Sequence, residues 1–136
     1  MAQTSVNVTA GNDAKASEYN KVVADLTELY STPITSYSPA ISGTATLTLD
    51  TGNIHRITMP AGNITIAISS AQVGQAFFLD IIQDGTGSRT VTWFSTIKWN
   101  EATVPTLSTG ANKIDSFGFI VTSAGNYQGY VVGKNL

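Results

Sequence analysis

This sequence predicts an all-β domain, an antiparallel β-sandwich of seven to eight strands in a jelly-roll-like arrangement, preceded by a short N-terminal α-helix. Three observations carry that expectation. Thr and Ser supply 19 and 13 of the 136 residues, and Thr suits strands because its β-branched side chain packs on a pleated surface. From about residue 44 onward apolar and polar residues alternate with a period of two, which puts every second side chain on one face of a strand. Short turn words, DTGN at Asp50, PAGN at Pro60 and SAGN at Ser123, punctuate that alternation at the short intervals of sandwiches and barrels.

The helix comes first along the chain. Between Ser17 and Tyr30 the apolar residues Tyr19, Val22, Val23, Leu26, Leu29 and Tyr30 recur every three or four positions, which places them on one helical face. Ser17 suits the N-cap, Glu18 falls in the first turn where a carboxylate is favourable, and Pro33 ends the pattern. A helix of about four turns is marginal alone, so its apolar stripe needs a partner. Tyr19, Val22, Leu26 and Leu29 also fit the a and d positions of a coiled-coil seam. The stripe therefore packs either around an axis shared by several copies or on the chain's own β domain. Residues 1–42 read as an arm, the helix and a Ser-, Thr- and Pro-rich linker serving assembly and attachment; residues 43–136 read as the β-sandwich.

Within the sandwich, Ala45, Leu47 and Leu49 alternate with Thr44, Thr46 and Thr48, and Ile64, Ile66 and Ile68 alternate with Thr65, Ala67 and Ser69. Each is a half-buried strand. Further strands are expected near 53–59, 75–83, 89–94, 114–122 and 127–132. AFFLDII at Ala76 to Ile82 and FGFIV at Phe117 to Val121 are apolar on both parities, so they belong at the centre of a sheet or against a neighbouring subunit.

Charge and cysteine usage narrow the function classes. Charged residues make up 12% of the chain and the formal net charge is -2, with the few Lys and Arg scattered. That leaves no electrostatic footprint for nucleic acid or an anionic membrane. The absence of cysteine excludes disulfides and thiolate metal ligation. No export signal is expected in MAQTSVNVTAGNDAK, which has neither a basic start nor an apolar run, and no apolar stretch reaches the length of a membrane span.

The search for catalytic chemistry yields little. His55 is the only histidine, so one chain cannot build a two-histidine metal site, and its parity with Ile57 and Met59 reads as a histidine on a strand face. A glycosidase pair needs two carboxylates about 5–10 Å apart in a cleft. Asp50 and Asp84 sit in turns, where Asp bonds its own backbone, and Asp80 and Asp115 have Arg56, Arg89, Lys98 and Lys113 as prospective partners. The DGTGS word at Asp84 leads into a strand-like segment rather than a helix and carries no Walker lysine, so a tight hairpin turn is favoured over a phosphate loop. No catalytic residue, metal site or cofactor is assigned. The aromatics remain. Phe94, Trp99, Tyr127 and Tyr130 are candidates for a platform on which the apolar face of a sugar stacks; the alternative for the same residues is core or trimer contact. Trp93, sharing parity with Val91, is assigned to the core.

The words QDGTGSRTVTW at Gln83 to Trp93, IKW at Ile97 to Trp99, PTLSTGANKID at Pro105 to Asp115 and the closing YQGYVVGKNL resemble a module that recurs in structural proteins of tailed bacteriophages. ASEYNKVVADL at Ala16 to Leu26 is similar to helical openings that precede such modules. The resemblance implies a β-sandwich on fibres, tail tips or capsid surfaces, commonly a homotrimer. Unlike long tail fibres, this sequence has no shaft or repeats. The expectation is a non-enzymatic virion protein assembled in the host cytoplasm: a trimeric surface fibre or capsid decoration protein, attached to coat or tail proteins through its N-terminal region. The alternative is a tail-fibre module that recognises a host-surface glycan.

Overall fold

The structure, a computed structural model, describes residues 13–30 and 33–136, with the helix side chains described over 16–24. The chain divides into two units, Met1–Thr32 and Pro33–Leu136.

In the first unit, helix α1 spans Asp13–Tyr30, about 27 Å at 1.5 Å per residue. It starts four residues before the expected cap at Ser17, because Ala14, Lys15 and Ala16 are strong helix formers that extend it by a turn. Tyr19, Val22 and Val23 are exposed. The side chains of Leu26, Leu29 and Tyr30 lie outside the described residues.

The second unit contains nine strands: β1 Ile34–Tyr37, β2 Thr44–Thr48, β3 Ile54–Thr58, β4 Ile64–Ser69, β5 Ala76–Ile82, β6 Val91–Thr92, β7 Ile97–Trp99, β8 Ile114–Ser123 and β9 Asn126–Gly133. They form a six-stranded sheet ordered β1-β3-β5-β8-β9-β7 and a three-stranded sheet ordered β2-β4-β6. The all-β, sandwich-like architecture matches the expectation. Strand direction differs from it. Antiparallel pairing is confined to β5–β8 and β8–β9, whereas β1–β3, β3–β5, β2–β4, β4–β6 and β7–β9 are parallel.

The cause is the path of the chain. From β1 to β6 each strand lies in the sheet opposite its predecessor, so strands two apart in sequence become neighbours running the same way. DTGN and PAGN are therefore corners between sheets; of the three turn words only SAGN closes a hairpin, between β8 and β9. β1 lies inside the segment read as linker, joined to β3 from Ile34↔Ile54 to Tyr37↔Ile57.

Between the sheets lies one apolar core. The three-stranded sheet contributes Ala45, Leu47, Ile64 and Ile66, and the six-stranded sheet contributes Ile57, Phe77, Leu79, Ile81, Phe117, Phe119, Val121 and Tyr127, all buried. The doubly apolar strands β5 and β8 occupy the middle of the larger sheet, as their composition requires.

DGTGS is also a corner, leading from β5 in one sheet to β6 in the other, and not the expected hairpin. Asp84 Oδ1 accepts hydrogen bonds from the Thr86 and Gly87 amides at 3.2 and 2.8 Å, and the Arg89 guanidinium forks onto both carboxylate oxygens at 2.9–3.1 Å. The Gln83 side chain pairs with the Arg89 backbone, accepting from its N–H and donating to its carbonyl, both at 2.9 Å. The corner then docks on the loop at 109–113, with Ser88 N–H donating to the Thr109 carbonyl at 2.9 Å and Asn112 N–H to the Asp84 carbonyl at 3.0 Å. Gly87, at φ +80°, sits so close that a Cβ would lie 2.2 Å from the Thr109 oxygen. Only glycine fits there.

Candidate functional site

The aromatics that the sequence singled out fall on two surfaces of the β unit. The first is the outer face of the six-stranded sheet. Strand registers align Ile34, Ile54, Phe78, Gly118 and Tyr130 in one row across five strands, about 19 Å long at 4.8 Å per strand. Gly118 matters by being small. A Cβ there would lie 3.4 Å from the Phe78 ring and 3.3 Å from Val132 Cγ2, so these two side chains close over the glycine. Ile34, Phe78, Ile120, Tyr130 and Val132 are 39–59% exposed. Beside this row the Arg56–Asp80 ion pair, 2.9 Å, is closed on itself, and Ser116 Oγ donates to the other Asp80 oxygen at 2.6 Å. The face thus presents an apolar ridge next to a neutralised charge pair.

The second surface grows out of the aromatic cluster on the inner side of the same sheet. Phe94 and Tyr127 meet edge to face at 4.8 Å and 82°. Trp93 packs on Trp99 and on Phe117, each at 5.0 Å. Trp99 lies flat over Gly129, where a Cβ would come within 2.8 Å of its ring. Beside Phe94 and Tyr127 opens a hollow of about 440 Å³, lined also by Thr65, Ile68, Trp93 and Ser95. A narrower apolar one of about 310 Å³ lies on the other side of Trp93, under Val104, Pro105 and Leu107.

The four candidate binding aromatics do not converge on one platform. Phe94 and Tyr127 are buried and touch each other. Trp99 is half-buried and reaches them only through Trp93 and Phe119. Tyr130 points to the opposite face of the sheet, where its hydroxyl donates to Gln128 Oε1 at 3.2 Å. The sequence did not single out Ile34, Phe78 and Val132 individually. Two-sided apolarity was the signal for Phe78, and only the register shows which residues share its row.

His55, Asp80, Asp84 and Asp115 are engaged in the fold. His55 lies in the core, its Nδ1 at 3.0 Å from the Tyr37 hydroxyl, which accepts the Thr48 N–H at 3.2 Å; its Nε2 has no partner among the described residues. Burial pushes the imidazole pKa down, partly opposed by the nearby Gly52 backbone. Asp115 is buried and accepts hydrogen bonds from Ser108 N–H, Ser108 Oγ and Asn135 N–H at 2.5–2.9 Å. Burial pushes its carboxyl up, but these bonds and the nearby Lys134 outweigh that and hold it below the usual range. The Arg89 fork, reinforced by the Gly87 and Thr86 amides, likewise holds Asp84 low. Of the prospective ion pairs, Asp80 takes Arg56, whereas Asp84 rather than Asp80 or Asp115 takes Arg89.

No curated protein and no solved structure matches the chain. The family model described as a putative phage tail fibre C-terminal domain matches residues 30–123, from just before β1 to the end of β8. That match spans most of the chain and the greater part of the β unit, so the protein belongs to this phage tail fibre family and is a structural component of the virion.

Proposed function

We propose that this chain is a non-enzymatic tail-fibre module that works as a homotrimer, joined to neighbouring virion proteins through its N-terminal region. One observation carries the assembly reading: the uncovered apolar ridge of Ile34, Phe78, Ile120, Tyr130 and Val132 on the outer sheet face. These side chains, each about half exposed, present on the order of 450 Å² of apolar surface, within the range of the largest patches on ordinary monomers, which are often functional. A stable homomeric interface takes about 800 Å² per partner, some 65% of it apolar. The ridge supplies most of that requirement. The closed Arg56–Asp80 pair offers no charge to a charged partner, so an equally neutral apolar surface suits this face best, and a second copy has one. The number three follows the likeness to phage fibre modules. The apolar stripe of α1 supports the attachment role.

Light scattering on the purified protein tests the proposal. The expected mass is three chains of 14.3 kDa each; a monodisperse monomer at micromolar concentration overturns it. Phe78→Asp places a charge in the middle of the ridge and should yield monomers with an intact β unit, since Phe78 is half exposed in a single chain. A trimer that persists in this variant moves the interface elsewhere.

The second reading, an adhesin module that recognises a host-surface glycan, is favoured by the aromatic hollow at Phe94 and Tyr127.

A further inference from the structure

We infer that the hollow beside Tyr127 is a binding site for a neutral sugar ring. The inference rests on the adhesin reading above and gives it a location.

The hollow arises from a mismatch in strand length. β4 pairs with β2 at five positions, from Thr65 to Ser69, but with β6 only at Ile64 and Thr65. Past Thr65 the far edge of β4 has no strand beside it among the described residues, because the chain at Trp93 to Ser95 swings away to begin β7. The gap between that edge, the swung-out segment and the β8–β9 turn at Gly125 is the hollow, about 440 Å³. Ligand sites typically occupy roughly 300–1,000 Å³.

Its lining combines two kinds of surface. Trp93, Phe94 and Tyr127 form the apolar wall, locked by edge-to-face packing of Trp93 on Phe94 at 6.4 Å and of Phe94 on Tyr127 at 4.8 Å. Thr65, Ser95 and Tyr127 supply hydroxyls, and no lining residue is charged. Tyr127 is the informative one. It is only 6% exposed, yet its hydroxyl has no hydrogen-bond partner among the described residues. That oxygen is not among the buried atoms without a partner, so it is the solvent-facing end of an otherwise buried side chain, open to water or a ligand.

The chemistry of the lining selects the ligand. A charged group would lose its hydration with no counter-charge in the hollow. A purely aliphatic group would leave the hydroxyls unsatisfied. A neutral pyranose meets both demands, with one CH face for the aromatic wall and hydroxyls for Thr65, Ser95 and Tyr127.

The test uses the full-length protein in two assays. In the first, amide resonances are followed while glucose, galactose, mannose, rhamnose and N-acetylglucosamine are each added to about 50 mM, enough to fill most of a site with a Kd near 10 mM. At least one sugar should shift the Ser95, Gly125 and Tyr127 amides saturably. Tyr127→Phe, which removes only the hydroxyl, should weaken that sugar at least about fivefold, and Thr65→Trp, which fills the hollow from an exposed strand position, should abolish binding. Tyr130→Phe on the opposite face should change nothing. The second assay is an array of bacterial surface glycans. Array binding that survives both Tyr127→Phe and Thr65→Trp leaves the adhesin reading standing and overturns this site. Binding in neither assay overturns both.

Discussion

Two glycines in one word of the sequence separate a steric requirement from a mere turn preference. Gly85 and Gly87 both belong to DGTGS, but a Cβ at Gly85 would meet nothing within 4 Å, whereas at Gly87 it would lie 2.2 Å from the Thr109 carbonyl oxygen and 2.9 Å from Ala111 N. In Gly87→Ala the two loops must part by about 1 Å to reach ordinary contact. That separation breaks or stretches the Ser88–Thr109 and Asn112–Asp84 backbone hydrogen bonds, at about 1 kcal/mol each. Holding Ala at φ +80° costs about 1 kcal/mol more. The expected loss is about 3 kcal/mol, a large fraction of the 5–15 kcal/mol that holds a typical domain, or about 10–15 °C in Tm for a unit of this size. Gly85→Ala should stay within about 0.5 kcal/mol of the parent. Urea unfolding followed by Trp fluorescence reads both, since Trp93 and Trp99 pack on the core. Equal midpoints for the two variants would refute the steric argument.

Further outcomes follow from the buried polar groups. Asp115→Ala strands the Ser108 and Asn135 donors and should cost about 3 kcal/mol in urea unfolding; a change under 1 kcal/mol would mean that water replaces the carboxylate. Because the folded-state pKa of Asp115 is depressed, its contribution is present above its unfolded value of about 3.9 and is lost as pH falls through the folded value. Asp115→Asn should flatten that acid limb. His55 is held neutral by burial, below its ordinary 6.5. Its contribution is therefore also present above pH 6.5 and lost as pH falls below it, and a urea midpoint that does not decline between about pH 6.5 and 5 would show that the buried imidazole accepts a proton at no cost.

The legible parts of the fold are those where one residue's face is enough information. The Thr44 to Leu49 and Ile64 to Ser69 alternations each produced a strand with the expected inward residues, because period-two patterning reports burial directly. Trp93 was assigned to the core by parity with Val91, and it packs there. Pairing was not legible. DTGN and PAGN look the same whether the chain returns to its own sheet or crosses to the other, so the parallel order left no mark in the turns. β1 was hidden for a related reason. ITSY lies between Pro33 and Pro39 in a Ser- and Thr-rich stretch and reads as linker, while the bonds from Tyr37 to His55 and Thr48 that hold it are long-range. The candidate site fared similarly: Phe94, Trp99, Tyr127 and Tyr130 were selected by type, but the register of β8 with β9 decides that Tyr127 faces in and Tyr130 faces out.

The glycine words that carry the phage resemblance do structural work, which changes where function should be sought. QDGTGS and STGANK lie far apart in the sequence, yet Ser88, Thr109, Asn112 and Asp84 bond the two loops together, and Gln83 N–H donates to the Lys113 carbonyl at 2.8 Å. Within the corner the Asp84 carboxylate is already taken by two amides and a guanidinium, so an anion or cation arriving there would have to displace bonds that fold the chain. Substitutions in these words should therefore register in stability first, and in assembly or binding only through it. The sheet faces behave oppositely. Phe78 and Tyr130 are half exposed and the Tyr127 hydroxyl has no partner among the described residues, so removing that hydroxyl or changing the two exposed side chains costs the single chain little and alters what it can touch. The glycine words thus report the fold, and they do not encode the outer row or the aromatic hollow, the two surfaces on which the proposed assembly and sugar binding rest.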